Sequence, residues 1–248
     1  MSARAQGGRV AAVIPAYNPG PTLARVAAGA ARELGPDLVF VVDDGATDGS
    51  IAGARAAQVH VLVHPANRGK GAALRTGFAA ARAAGADWIF TLDADGQHDP
   101  AEMGAFLAAA ARGDGDLLVG SRMADTRTMP WLRRFANRTT SFVVSLLAGQ
   151  SIADSQSGYR LIAARVLAAL DLRYDRFEAE SEILVKAARA GFRIASVPIA
   201  TIYGEERSNI HPLRDTVRFV GLVARLAPVA LGCAPARRME GEVPSREP

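Results

Sequence analysis

The feature that most constrains the fold is an alternation of short apolar runs with alanine-rich stretches through the first half of the chain. Apolar runs of this length are typical of strands buried on both faces of a parallel sheet. The predicted strands are Val10–Ile14, Leu38–Val42, Val59–Val63, Trp88–Leu92 and Leu117–Gly120, and the predicted helices lie near 22–34, 48–57, 70–84 and 101–112. Gly35, Gly85 and Gly113 follow three of these helices, where a left-handed C-cap residue is expected. This order predicts an α/β fold around a mostly parallel sheet with right-handed crossovers.

Composition narrows the class of protein. A single cysteine, Cys233, excludes an internal disulfide framework and any multi-cysteine metal site, which points to a reducing compartment. The first residues contain no apolar segment typical of secretory signals, so we expect a cytosolic protein. Aromatic residues are only 6% of the chain and form no stripe with basic residues, which argues against nucleic acid as a partner. The net charge of +4 comes from residues 121–202, with 12 basic against 7 acidic side chains, and favours an anionic ligand there.

Polar side chains follow the predicted strands at the edge of the sheet where ligands of such folds bind. Asp43 and Asp44 follow the second strand, and Asp93 and Asp95 follow the fourth. Residues two apart in extended backbone point to the same side, and two like charges held together are unfavourable without a cation between them. Mg2+ or Mn2+ is the natural partner, because these ions are held by one or two carboxylates and complete their coordination with water and substrate phosphates. The pattern therefore predicts a nucleoside diphosphate site.

Two other nucleotide-binding motifs are disfavoured by their spacing. Asn67–Gly71 resembles part of a P-loop, but Gly71 stands where a serine or threonine would bind magnesium, and the glycines are wrongly spaced. The first strand–helix turn, at residues 15–20, lacks the Gly-x-Gly-x-x-Gly of dinucleotide-binding proteins. The sequence thus argues against a P-loop NTPase and against a nicotinamide-dependent enzyme.

A series of short motifs, in order over residues 9–215, resembles the family 2 glycosyltransferases, and in particular the dolichyl-phosphate (polyprenyl-phosphate) mannosyltransferase branch. The motifs are Val13–Asn18, Val42–Gly49, Asn67–Gly71, Asp93–Pro100, Gly120–Arg122, Asp154–Arg160, Phe177–Glu180 and Val197–Pro198. The resemblance implies a GT-A fold, in which a Rossmann-like, mostly parallel sheet is flanked by helices. It also implies an inverting enzyme that transfers a hexose, mannose or glucose, from a GDP- or UDP-sugar to a polyprenyl phosphate.

The resemblance assigns roles to individual residues. The implied residues are, for donor binding, Pro15, Tyr17, Asp43, Asp44, Lys70 and Asp93; for the metal, Mg2+ or Mn2+, Asp93, Asp95 and Gln97; for the acceptor phosphate, Arg122, Arg133 and Asn137; and for catalysis, Asp95, Arg122 and Arg207. Arg207 lies in a segment that resembles the family's mobile arginine-containing loop. The chain departs from the branch at Pro19, where a donor-contacting glutamate is frequent, and this departure leaves the donor base open between guanine and uracil.

A phosphate acceptor reduces the chemistry that the protein must supply. The second pKa of a phosphate monoester is about 6, so the nucleophile is already an oxyanion at neutral pH and needs no strong general base. Metal and arginine would instead stabilise the departing nucleoside diphosphate.

Two alternative functions stay open. A soluble or glycan hydroxyl acceptor would require a carboxylate base, with Glu178, Glu180 or Glu182 as candidates. A metal-dependent nucleotidyltransferase would release pyrophosphate.

The remaining predictions concern membranes and domain boundaries. No apolar run reaches the roughly 18–20 residues of a transmembrane helix. Residues 211–232 and Trp131–Leu147 have amphipathic patterns, which leave open whether each segment lies on a membrane surface or packs on its own domain. We expect a disordered N-terminus over 1–8, a GT-A catalytic domain over 9–210, a C-terminal amphipathic helix over 211–232 and a disordered tail over 233–248. The expected location is cytoplasmic, peripheral on the inner face of the cell membrane.

Overall fold

The computed structural model describes residues 4–5, 8–124 and 131–200, and in the C-terminal part residues 221, 223–224 and 227–228. A mixed sheet forms the centre of this part of the chain. Its strands are β1 (Arg4–Ala5), β2 (Gly8–Ala16), β3 (Val39–Asp43), β4 (His60–Val63), β5 (Trp88–Thr91), β6 (Leu117–Ser121), β7 (Arg160–Ala163) and β8 (Ile194–Pro198). They lie in the order β4-β3-β2-β5-β7-β6-β8, with β1 paired to β2 outside this path. The pairs β3–β4, β2–β3, β2–β5 and β6–β8 are parallel, so the predicted mostly parallel sheet is confirmed.

Seven helices pack around the sheet in the described part of the chain. They are α1 (Thr22–Leu34), α2 (Ile51–Ala56), α3 (Lys70–Ala83), α4 (Met103–Ala111), α5 (Trp131–Ala148), α6 (Ala164–Ala169) and α7 (Glu178–Arg189). Gly35, Gly85 and Gly113 all have positive φ, of 89°, 76° and 74°, as predicted for glycines that follow helices, but Gly35 has ψ of 144° and therefore lies outside the left-handed helical region. The element predicted near 101–112 begins as a short 3-10 turn at Pro100–Glu102, where the Asp99 carboxylate accepts a hydrogen bond from the Ala101 amide.

The apolar character of the predicted strands follows from their burial. Every residue of β3, β5 and β6 is buried, so both faces of these strands are covered. A strand buried on both faces has no solvent side for polar residues, which is why the sequence shows continuous apolar runs and no alternation. The edge strand β4, whose residues are exposed or half-buried, is the exception and ends at the exposed Val63.

The antiparallel strand β7 is a feature that the sequence patterns did not predict. It lies between β5 and β6 and runs against both of them. Its first residue, Arg160, pairs in register with Thr91 near the end of β5 and with Val119 of β6. Because β7 begins at the edge where its parallel neighbours end, the segment preceding it lies at the same edge as the predicted ligand-binding residues.

The N-terminal segment contributes one short strand. Arg4 and Ala5 form β1, which pairs antiparallel with Arg9 and Gly8, while the expected disorder over residues 1–8 stays a prediction. At its start β2 extends beyond β5, which pairs with it only from Val10 onward. The Arg9 amide there donates to the Asp87 carboxylate at 2.7 Å, and the Arg9 carbonyl accepts from the Asp87 amide at 2.8 Å. The predicted helix at 211–232 lies mostly outside the described residues, and no helix that the structure describes is long and apolar enough to span a bilayer.

Candidate active site

Several of the predicted site residues lie at the edge of the sheet where the parallel strands end. Asp43 is the last residue of β3, Asp93 follows β5, and Arg122 follows β6. Arg160 opens the antiparallel β7 at this same edge. The order β3-β2-β5-β7-β6 therefore brings the carboxylates predicted for the donor and the arginine predicted for the acceptor to one side of the molecule.

Asp93 lies in a cluster of charges with Lys70, the first residue of α3, and Glu180 of α7. The Lys70 ammonium is 2.5 Å from Asp93 Oδ1 and 3.1 Å from Glu180 Oε1. Burial by itself would lower the pKa of Lys70, but the two carboxylates outweigh it and raise that pKa well above its usual range. Burial likewise opposes ionisation of Asp93, but Lys70, with smaller contributions from His98 and Arg160, keeps its pKa below the ordinary value. Both groups are therefore charged at neutral pH.

His98 and Gly158 form the wall of the site next to Asp93. His98 is buried, and its ring lies 5.4 Å from the ring of Tyr159. Burial lowers the pKa of His98 to about 4, although the nearby Asp93 acts in the opposite direction, so the imidazole is neutral at pH 7. The backbone of Gly158 lies so close to Asp93 that a Cβ there would be 2.3 Å from Asp93 Oδ2. Only glycine fits at position 158 without displacing this carboxylate.

The two aspartates at the end of β3 have different surroundings. The Asp43 carboxylate accepts a hydrogen bond from the Ala46 amide at 2.8 Å, which holds the turn after the strand. Asp44 is 2% exposed, and its oxygens accept hydrogen bonds from the amides of Arg68 and Gly69 and lie 2.6 Å from His64 Nδ1. These contacts position the loop before Lys70. A role for Asp44 in direct donor binding stays a prediction.

Pro15 and Tyr17, the other residues predicted to line the nucleoside pocket, lie at the end of β2 and just after it. The Tyr17 side chain is 54% exposed, which leaves its ring accessible to a ligand. The following Asn18 has φ of 48° and accepts a hydrogen bond from the Thr47 amide at 2.7 Å. The turn after β2 is thereby tied to the turn after β3.

The resemblance of Asn67–Gly71 to a P-loop does not extend to its geometry. In a P-loop, free backbone amides at the start of the helix bind phosphate. Here the amides of Gly71 and Ala72 donate to the carbonyl oxygen of Asp175, at 2.7 and 3.1 Å. Gly69 has φ of 96°, and a Cβ there would lie 2.4 Å from the same carbonyl oxygen. The start of α3 is thus occupied by protein backbone, in agreement with the spacing argument against a P-loop NTPase.

The residues predicted for the metal supply the oxygen donors that Mg2+ and Mn2+ prefer. Asp93 and Asp95 follow β5, and Asp95 Oδ1 accepts a hydrogen bond from the Gln97 amide at 2.9 Å. Among the described residues, no group of three or more His, Cys, Asp or Glu side chains is arranged to hold a metal ion. Two carboxylates and an amide oxygen fit a magnesium-like ion that takes its other ligands from phosphate and water.

Arg122 is held by a buried carboxylate. Its Nε donates to Asp154 Oδ2 at 2.8 Å and its Nη2 to Asp154 Oδ1 at 3.0 Å. Burial opposes ionisation of Asp154, but hydrogen bonds from Arg122, and from Asn137 at 2.9 Å, lower its pKa below the ordinary value. Such a bidentate pair fixes the plane of the guanidinium.

The other residues predicted for the acceptor phosphate are placed differently. Asn137 is buried: it donates to Asp154 and accepts from Ser141 at 3.0 Å. Its amide therefore belongs to the support of Arg122, and direct contact with a phosphate stays a prediction. Arg133 lies in α5, but its side chain is outside the described residues, as is the whole of Arg207.

Arg160 and Asp154, like His98 and Gly158, are residues of the site that the sequence analysis did not single out. Arg160 and Asp154 belong to a motif that was noted, yet no role was given to either. The structure buries both almost completely, at 1% and 0% exposure. A buried arginine cannot be distinguished from a surface arginine in a single sequence, so only the motif itself was available as a signal.

Comparison with known proteins is consistent with this geometry. Residues 11–170 match the family model described as "Glycosyl transferase family 2". The undecaprenyl-phosphate mannosyltransferase of Micrococcus luteus is 32% identical over 88% of this chain and 99% of that protein. The UDP-N-acetylglucosamine–dolichyl-phosphate N-acetylglucosaminyltransferase of Methanococcus voltae is 32% identical over 78% of this chain and 85% of that protein.

A solved structure shows the fold. Glucosyl-3-phosphoglycerate synthase from Mycobacterium tuberculosis, in complex with Mn2+, uridine-diphosphate-glucose and phosphoglyceric acid, superposes with a TM-score of 0.67 at 17% identity. The match covers 91% of this chain and 80% of that one. The GT-A fold expected from the sequence is thus confirmed.

Proposed function

Because this chain belongs to glycosyl transferase family 2, we propose that it transfers a hexose, mannose or glucose, from a nucleoside-diphosphate sugar to a polyprenyl phosphate at the cytosolic face of a membrane. The observation that carries the proposal is the pairing of Arg122 with Asp154 at the same sheet edge as Asp93 and Lys70. An arginine held in a fixed plane binds phosphate oxygens well. The names of the two relatives, which act on undecaprenyl and dolichyl phosphates, support a lipid phosphate as the acceptor.

The proposed reaction is a single displacement with inversion. A bond forms between an oxygen of the acceptor phosphate and the anomeric carbon as the bond from that carbon to the donor diphosphate breaks. The nucleoside diphosphate leaves with the electron pair. Arg122 orients the acceptor oxygen, and Lys70 offers positive charge on the donor side. No proton has to be removed, because the acceptor phosphate is already ionised at neutral pH.

The residues after β5 fit a divalent cation at the leaving group. When bound, Mg2+ or Mn2+ supplies Lewis-acid stabilisation of the diphosphate. In the proposal, the carboxylates of Asp93 and Asp95 and the side-chain oxygen of Gln97 would hold it. Lys70, 2.5 Å from Asp93 Oδ1, offsets part of the negative charge there.

Helix α5 is the surface proposed to face the membrane. Its large apolar side chains Trp131, Phe135, Phe142 and Leu146 are 72%, 65%, 70% and 68% exposed. At 3.6 residues per turn these positions fall on one side of the helix. Residues 131–148 contain no Asp or Glu, and Arg134 and Arg138 are exposed beside the apolar stripe. An apolar face with cationic neighbours is typical of helices that lie at an anionic membrane surface.

A hydroxyl acceptor is the second candidate, and Glu180 is the observation in its favour. Of the three glutamates considered as bases, Glu182 is fully buried. Its carboxylate accepts hydrogen bonds from the amides of Arg173 and Tyr174 and from the Lys186 ammonium. Glu180 instead lies at the site, 3.1 Å from Lys70. A hydroxyl acceptor would need this carboxylate as its general base.

The test is a transfer assay with purified protein. GDP-mannose and UDP-glucose are each offered with undecaprenyl phosphate in vesicles, with Mg2+, Mn2+ or EDTA. We expect one donor to yield a lipid-linked hexose and an equal amount of nucleoside diphosphate, with an inverted anomeric configuration in the NMR spectrum. Release of pyrophosphate would identify a nucleotidyltransferase. Transfer to glycan hydroxyls without transfer to lipid phosphate would favour the second candidate.

A further inference from the structure

The segment Asp154–Arg160 connects the two halves of the site, and the proposed function gives it no task beyond the contact of Asp154 with Arg122. At one end, Asp154 holds the Arg122 guanidinium with two hydrogen bonds of 2.8 and 3.0 Å. At the other end, the Gly158 backbone is packed against the Asp93 carboxylate. The two groups proposed for acceptor and donor are therefore joined by four intervening peptide units.

The Arg160 side chain fixes the backbone of this segment through hydrogen bonds. Its Nη2 donates to the Ser155 carbonyl at 3.0 Å and its Nε to the Ser157 carbonyl at 2.9 Å. Its Nη1 donates to the Glu180 carbonyl at 2.7 Å, which ties the segment to α7. The three bonds use both edges of the planar guanidinium, so a lysine cannot reproduce them.

The charge of Arg160 is unusual for so buried a side chain. Arg160 is 1% exposed and forms no ion pair among those found in the described residues. Burial lowers its pKa, and the more distant carboxylates of Glu180, Asp93 and Asp154 act against this effect. A buried cation without a direct partner is costly. The carboxylates that compensate it are those of the donor and acceptor clusters.

The sheet supplies the fixed reference for the segment. Thr91, near the end of β5, donates from Oγ1 to the Gly158 carbonyl at 2.7 Å and pairs in register with Arg160. Asp93 follows Thr91 by two residues. The segment is therefore anchored to the strand that carries the donor carboxylate.

We infer that Asp154–Arg160 is a positioning bridge that sets the separation between the donor and acceptor sites, with Arg160 as the residue that clamps it. The inference rests on the proposed function for the roles of Asp93 and Arg122. Arg160 is a positioning residue: it acts on Asp93 through Gly158 and on Arg122 through Asp154. In-line attack requires the acceptor oxygen to be held close to the anomeric carbon, so a change in this separation lowers the rate.

The first experiment displaces the donor end of the bridge. Gly158→Ala places a methyl group against Asp93, and we expect weaker binding of GDP or UDP with Mn2+ in calorimetry. We also expect a raised KM for polyprenyl phosphate, although the acceptor residues are unchanged. Asp93→Asn is the control, because it removes the charge without pushing on the bridge and is expected to affect nucleotide binding much more than acceptor KM. A Gly158→Ala variant with an unchanged acceptor KM would refute a rigid bridge.

The second experiment removes the clamp. We expect Arg160→Gln to lower kcat on the order of a hundredfold, the size of effect that a misplacement of about 1 Å causes, and Arg160→Lys to recover part of the loss. The control is Gln150→Ala, which removes two hydrogen bonds to the backbone, at Phe192 and Ile194, away from the site. If both Arg160 variants lose activity only in proportion to their lowered Tm, as the control does, Arg160 is a structural residue and the inference is wrong.

The third experiment separates this inference from the proposed function. Asp154→Asn changes the acceptor end, and nucleotide binding with Mn2+ is measured by calorimetry without any acceptor. If the bridge couples the two sites, Asp154→Asn should weaken nucleotide binding about threefold to tenfold, although Asp154 lies at the acceptor end. Normal nucleotide affinity in Asp154→Asn would overturn the bridge even if the wild type transfers hexose to lipid phosphate. Coupled binding in a protein that transfers no hexose would refute the proposed function and retain the bridge.

Discussion

Lys70 offsets part of the negative charge at the proposed donor site. It lies between Asp93 and Glu180, so one ammonium faces two carboxylates. These three side chains together carry one negative charge, and a diphosphate would bring further negative charge to them. In the proposed function, a divalent cation would accompany the nucleotide and offset this charge. We expect nucleotide affinity to depend strongly on the metal.

Asp95→Asn tests whether the Asp95 carboxylate binds the proposed metal. The change keeps the size of the side chain and removes a carboxylate charge proposed for the metal, so we expect kcat to fall by roughly a hundredfold or more. Asp99→Asn is the matched control, because Asp99 caps the turn at Pro100–Glu102 and asparagine caps equally well. The measurement is nucleoside diphosphate release with saturating Mg2+. An Asp95→Asn variant as active as the control would exclude a metal role for this residue.

Glu180→Gln distinguishes the two acceptor classes. If the acceptor is a phosphate, no base is needed, and we expect transfer to fall by no more than about tenfold, through the altered contact with Lys70. If the acceptor is a hydroxyl, loss of the base should cost about a hundredfold or more. The measurement is the rate of transfer at saturating donor and acceptor as a function of pH. A wild-type rate that falls as the pH is lowered, with no such fall in Glu180→Gln, would indicate a base.

At the scale of elements, α5 is, among the helices that the structure describes, the one that exposes the most large apolar side chains. Trp131, Phe135, Phe142 and Leu146 share one side of the helix, while Val144 on the opposite side is fully buried. The helix is thus amphipathic, but its outer face also carries large apolar groups. Such a face is unusual for a helix that only packs on its own domain.

The double variant Phe142→Ser, Leu146→Ser tests membrane contact. Removing two exposed apolar side chains should weaken sedimentation with anionic vesicles by about tenfold or more, since each large side chain contributes roughly 1.5–3 kcal/mol on leaving water. Val63→Ser is the control, because Val63 is 58% exposed and lies on the edge strand β4. Equal binding of all three proteins would show that α5 does not face the membrane.

At the scale of the whole molecule, the Arg122–Asp154 pair links stability to pH. The pKa of Asp154 is lower in the folded protein than in the unfolded chain, where it is about 3.9. The pair therefore stabilises the fold above pH 4, and this contribution is lost as the pH falls through the lower, folded-state pKa. We expect Asp154→Asn to cost about 3 kcal/mol at pH 7, because it leaves the charge of Arg122 uncompensated.

Denaturant unfolding at several pH values measures this contribution. The difference between wild type and Asp154→Asn should be constant between about pH 5 and pH 7 and should shrink below about pH 4. Because Asn retains hydrogen-bonding capacity, Asp154→Ala is the companion variant and should be less stable than Asp154→Asn. A difference that stays constant down to pH 2 would show that the charge of Asp154 does not contribute.

The parts of the molecule that the sequence predicts well are those with a local physical signature. The buried strands β3, β5 and β6 are recognisable because both faces are covered, and Gly35, Gly85 and Gly113 mark helix ends through their positive φ. The carboxylates that follow predicted strands can likewise be recognised from the amino-acid sequence.

The features that escaped prediction depend on contacts between distant residues. Strand β7 has only four residues, and its antiparallel direction is set by its neighbours. The support of Asp44 comes from His64 and from amides 24 and 25 residues away. Nothing in the sequence near Arg160 distinguishes a buried arginine that holds the Asp154–Arg160 segment from an ordinary surface arginine.

The carbonyl of Asp175 at the start of α3 has a consequence for inhibitor chemistry. It accepts the hydrogen bonds of the Gly71 and Ala72 amides, so compounds designed around an amide-lined anion hole have no counterpart at the start of α3. In the proposed function, affinity for the diphosphate would come from side-chain charges and a cation, both sensitive to ionic strength. We therefore expect compounds that bring a metal-chelating group in place of the diphosphate to suit the proposed donor site better than neutral phosphate mimics.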